Sequence, residues 1–297
     1  MSHLGQQSNP TVVLLAVAVE TGTIYLVNEE LRYLPNSNRL GVLLATVLLT
    51  LALARLIQAP QWTLELQLPG FYFAFPFGLS TAMLLLAAGL SATGMDWVLH
   101  EHPSRGEKAT IEHWLLPAMA TLIVGVPLST LPMRNVWWMG FGVGALLLTL
   151  VFLAEYIVLE PSAPYYAFAT IGLTALSYAI YLILVTALRF NGARLFLLLP
   201  AIFIVAGLVT LRSLRLRVGG NWQYPWAAGV GLICAQIGAG LHYWPLSPIQ
   251  YGLALLGPLY ALSTLIASLL ENTSPRRAIL EPLIALLLAW GATAFLR

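Results

Sequence analysis

LLATVLLTLALA, residues 43–54, and LLLTLVFLA, residues 146–154, are apolar on every side. A strand of a membrane barrel alternates apolar and polar residues over about ten positions, and neither run does so. A backbone in lipid must pair its own polar groups, so unbroken apolar runs of about 20 residues mean membrane-crossing helices. Working outward, the chain offers about ten such runs: 11–29, 39–58, 71–95, 112–132, 135–158, 164–188, 194–211, 225–244, 248–270 and 277–296. The expected fold is all-α, a polytopic transmembrane helical bundle of about ten spans, with a range of 8–10. The intervening stretch APQWTLELQLP, 59–69, alternates and is assigned to the interface. Within the 71–95 run, Pro76 and Gly78 are expected to kink the helix, with Ser80 and Thr81 satisfying freed backbone groups.

Composition supports a membrane solvent. Of 297 residues, 59% are hydrophobic and 9% charged, whereas soluble domains have about 45–50% apolar and about 25% charged residues. Such a surface excludes a soluble enzyme, a nucleic-acid reader and a disordered scaffold. The balance of 14 basic and 12 acidic residues gives a net charge of +2, too small to draw a polyanionic partner. Cys234 is the one cysteine, so a disulfide framework is excluded. The single lysine, Lys108, lies in the polar run SRGEKAT, which excludes a retinal Schiff base within the bundle. MSHLGQQSNP has no basic region ahead of the first apolar run, and the reading is that this run stays in place as a helix. Linkers are short and no Ser/Gly-rich tether occurs, so residues 1–297 read as a single integral membrane domain without a soluble one. With ten spans, Arg55, Arg134, Arg189, Arg194 and Arg297 share the side of the termini. Arg32, Arg39, Arg105, Lys108, Arg212, Arg215, Arg217, Arg276 and Arg277 lie opposite, which favours termini outside the cytoplasm.

Ionisable residues inside a span are costly and therefore mark candidate sites. Glu20, in the middle of TVVLLAVAVETGTIYLV, is a candidate proton or cation site, and His242 with Gln236 in CAQIGAGLHYWPLSP is a second part of such a path. Glu155 and Glu160 close the fifth span in LAEYIVLEPSAP and are expected to reach the interface. The densest polar cluster is DWVLHEHPSRGEKATIEHW, 96–114. Asp96 and His100 share a helical face, and His102 and His113 return to the same region, a mixture of imidazole and carboxylate that suits zinc or iron. LRSLRLR ends the seventh run with Arg212, Arg215 and Arg217, which are assigned to phosphate headgroups. The glycines Gly229, Gly231, Gly238 and Gly240, and Gly140, Gly142 and Gly144, are read as places of close helix approach. Aromatic residues cluster at span ends as interfacial belts. No phosphate-binding loop occurs, and the single aspartate argues against a magnesium-diphosphate enzyme. No cofactor is required by the sequence.

The last quarter, beginning LHYWPLSPIQYGLALLGPLYAL at 241–262, resembles an uncharacterised type of bacterial multi-pass membrane protein. The shared feature is a turn of Tyr243, Trp244 and Pro245, with Pro248 and Gly252, joining two late spans. That resemblance implies the bacterial inner (plasma) membrane and no activity. The favoured reading is a non-enzymatic membrane protein, either an accessory subunit of a membrane complex or a binder of a lipophilic molecule. Its partners would be membrane lipids and other membrane subunits. The alternatives are a secondary transporter using Glu20 and a metal-dependent lipid-modifying enzyme using the Asp96–His113 region.

Overall fold

The computed structural model describes residues 35–57, 62–68, 71–100, 112–132, 134–160, 162, 165–218 and 222–295. Nine helices occur among them: α1 (Ser37–Leu56), α2 (Leu79–Leu99), α3 (Glu112–Thr130), α4 (Asn135–Ile157), α5 (Tyr166–Phe190), α6 (Leu195–Val218), α7 (Tyr224–His242), α8 (Pro248–Leu270) and α9 (Pro275–Phe295). Eight are long and apolar enough to cross a membrane; in α3 the apolar stretch is shorter, His113–Ser129. The fold is a polytopic helical bundle. The run 11–29, and with it Glu20, lies outside the described residues.

One element departs from the expected spans. Phe71–Phe77 is not helical but forms β2, paired antiparallel with β1 (Trp62–Leu68), from Trp62 against Phe77 to Leu68 against Phe71. The alternation of WTLELQL is a strand period, and FYFAF is rich in aromatic residues that favour strands. Pro76 therefore sits in a strand and Gly78 is the N-cap of α2, so neither kinks a helix.

Turn chemistry sets the helix ends. Asn36 caps α1, its side chain accepting from the Asn38 amide at 3.0 Å. At the YWP turn, Ser247 and Gln250 form a reciprocal capping box and Pro248 occupies the first turn of α8, where its missing N–H costs nothing. Helix α5 stops at Gly192, φ 64°, and α8 at Asn272, φ 54°. Each is followed by an amide that bonds back to the last turn, Ala193 to Leu188 and Thr273 to Ser268.

Among the described residues, packing centres on two large apolar cores. Leu43, Val47, Met95, Leu148 and Phe152 centre the one built from α1–α4. Tyr181, Leu198, Ile202, Tyr251 and Leu255 centre the one built from α5–α8. Helix α8 is the most enclosed, packed by α5, α6, α7 and α9, while α9 covers it from outside. Leu116 of α3, Leu173 of α5 and Leu216 of α6 meet at the seam between the cores.

Candidate functional site

At that seam the bundle buries three ionisable groups. Glu155 of α4 is 0% exposed, Arg212 of α6 2% and His113 of α3 5%. One carboxylate oxygen, Glu155 Oε2, accepts from Arg212 Nη2 at 2.5 Å and from His113 Nδ1 at 2.6 Å. Three helices drawn from both cores are thus tied through a single oxygen. Glu155 Oε1 and Arg212 Nε, both buried, have no hydrogen-bond partner among the described residues. Glu155, two residues before the end of α4, is thus enclosed between helices and not a solvated helix end. It extends the buried stripe Leu148–Val151–Phe152 by one turn, as Arg212 extends Ile202–Val205–Val209. Arg212 is buried within the bundle, its guanidinium spent on the Glu155 carboxylate, because an arginine on that stripe lies between helices.

The next residue, Ser213, faces elsewhere. It lines a lateral groove of about 600 Å³ between α5, α6 and α8, a size typical of small-molecule sites. Its polar groups come from all three helices: Thr170, Thr174 and Tyr178 on α5, Ser213 on α6, Tyr260 and Ser263 on α8. Tyr178 OH lies 2.6 Å from Ser263 Oγ, and the Tyr178 and Tyr260 rings tilt together at 5.3 Å. Arg217 stands at the mouth, donating to both oxygens of Glu271 at 2.9 and 3.3 Å and to Ser268 Oγ at 3.3 Å. The buried triad and the groove are consecutive on α6: Arg212 fixes the turn whose neighbours, Ser213 and Leu216, form the groove floor.

Other sequence-derived candidates are dispersed. His242 accepts at Nδ1 from Arg189 at 3.0 Å, and the same guanidinium donates to its backbone carbonyl and lies 5.1 Å from the Tyr251 ring centre. Gln236 is exposed on α7. Asp96 and His100 do come together, 3.6 Å apart, with His100 largely exposed, while His113 is committed to Glu155. His102 lies outside the described residues, as does Glu20. Among the described residues no three His, Cys, Asp or Glu side chains gather as metal ligands. Arg215 lies 6.0 Å from the Trp222 ring centre.

A family model described as "Protein of unknown function (DUF5656)" matches residues 59–296. The chain belongs to the DUF5656 family. The DUF5656 match takes in the hairpin, α2–α9, the buried triad and the groove, so the family unit is most of the chain and not the last quarter alone. No curated protein and no solved structure matches this DUF5656 chain.

Proposed function

We propose that this is a bacterial inner-membrane protein, one integral domain throughout, that binds a lipophilic small molecule in the α5–α6–α8 groove without transforming it. The groove carries this reading: apolar residues such as Ile171 and Ala267 make its walls, and polar side chains from three separate helices line it. Convergent polar groups in a largely apolar pocket fix the orientation of a bound molecule. Lateral opening suits entry from the bilayer, since Ala167, Ile171 and Ala175 are exposed on the α5 side. The triad supports the same reading by holding the floor rigid.

The test is retention. Protein purified in nanodiscs, then stripped of annular lipid, should carry a one-to-one adduct by native mass spectrometry. Ala175→Trp, which fills the groove from an exposed position, should remove the adduct while the protein unfolds at an unchanged temperature. Equal retention by wild type and Ala175→Trp would place the ligand elsewhere and defeat the proposal.

A further inference from the structure

Resting on the groove as the binding site, we infer that its occupant is an uncharged lipid alcohol, a molecule with a free hydroxyl head on acyl or prenyl chains.

Charge comes first. The arginines near the groove are already compensated: Arg217 by Glu271 at 2.9 Å, and Arg212, behind the floor, by Glu155. Beyond Tyr260 stands a further carboxylate, Glu281, 3.5 Å from the phenol. A phosphate head would have to displace Glu271 from Arg217, with Glu281 behind Tyr260 adding negative charge nearby, so the groove disfavours the anionic lipid that the LRSLRLR run alone suggests. An uncharged head meets no such opposition.

Hydrogen bonding then selects the head. The Ser263 hydroxyl donates to the Leu259 carbonyl at 2.7 Å, so its short contact with Tyr178 is a bond that Tyr178 donates. Thr174 and Ser213 donate to the carbonyls of Thr170 and Thr210. A hydroxyl has one proton and two lone pairs, so the groove-lining Thr174, Tyr178 and Ser213 keep acceptor capacity after these bonds. Thr170 is a further lining residue, and its buried hydroxyl has no partner among the described residues. A head that donates one bond and accepts another completes this set. An alcohol does both; a carbonyl-only head, such as a quinone or an ester, leaves the acceptors unmatched.

Three photoactivatable probes with identical diazirine-bearing chains distinguish these cases in nanodiscs: a diacylglycerol, its O-acetylated counterpart and the matching phosphatidic acid. Diacylglycerol should label peptides containing 166–178, 213–217 and 260–267 several-fold more than either of the others. Tyr178→Phe should reduce that labelling. Glu271→Gln, an exposed change that frees Arg217, should shift preference toward phosphatidic acid. Equal or stronger groove labelling by phosphatidic acid in the wild type overturns the uncharged head, and equal labelling by the acetylated probe overturns the donor; either leaves the groove itself intact. If no probe labels the groove above a bulk-lipid control, the binding site and this inference fall together.

Discussion

Glu155 accepts two charge-assisted hydrogen bonds through one oxygen, inside a bundle where each desolvated charge must be compensated. Removing one partner leaves the other charge buried and unpaired, a loss of about 3–5 kcal/mol, whereas replacing the whole set by apolar groups of similar volume is often neutral. Glu155→Gln and Arg212→Ala should therefore each destabilise the protein by about that amount, measured by denaturant unfolding in bicelles. The triple variant His113→Leu, Glu155→Leu, Arg212→Met should recover most of it. A triple variant as unstable as the single ones would show that the seam needs the charges themselves, through Glu155 Oε1 and Arg212 Nε, which have no partner among the described residues, and not merely a well-filled junction.

Close helix approach is decided glycine by glycine. A Cβ on Gly231 of α7 would stand 2.6 Å from the Phe203 carbonyl of α6, a backbone atom that cannot swing aside, and one on Gly238 would meet Ile202 at 2.9 Å. Nothing lies within 4 Å of the corresponding position on Gly229, Gly240 or Gly142. Gly231→Ala should therefore cost about 1–3 kcal/mol through overpacking, while Gly229→Ala should leave the unfolding temperature unchanged or slightly raised; equal effects would refute the α6–α7 contact. Helices were legible because lipid forces the backbone to pair internally. The hairpin was half legible: WTLELQL shows its period, but FYFAF merged with the apolar run after it. The site was hidden for a different reason. Helices that are apolar all round carry no visible buried stripe, so nothing in LAEYIVLE or LRSLRLR distinguishes Glu155 from Glu160, or Arg212 from the exposed Arg217.

Across the whole bundle, side-chain contacts sort the helix ends into two faces. Arg39 at the start of α1 donates to the Trp97 carbonyl at the end of α2, and Arg217 at the end of α6 pairs with Glu271 at the end of α8. Opposite them, Arg55 donates to the Leu131 carbonyl and Arg189 holds His242. The faces match the division expected from the apolar runs, because β1 and β2 return the chain to the side it left. The face of Arg39, Arg215, Arg217 and Arg276 carries the larger share of basic residues and should be cytoplasmic by the positive-inside tendency. Cys234 is buried, and its replacement by alanine gives a background for labelling with a membrane-impermeant maleimide. On that background Asn191→Cys, exposed after α5, should react in intact cells, and Ser274→Cys, exposed before α9, only after permeabilisation. The converse pattern would invert the protein and move the Arg217 mouth of the groove to the outer leaflet. The orientation thus decides which leaflet supplies the ligand: with Ser274 inside, a lipid alcohol must reach the groove from the cytoplasmic leaflet.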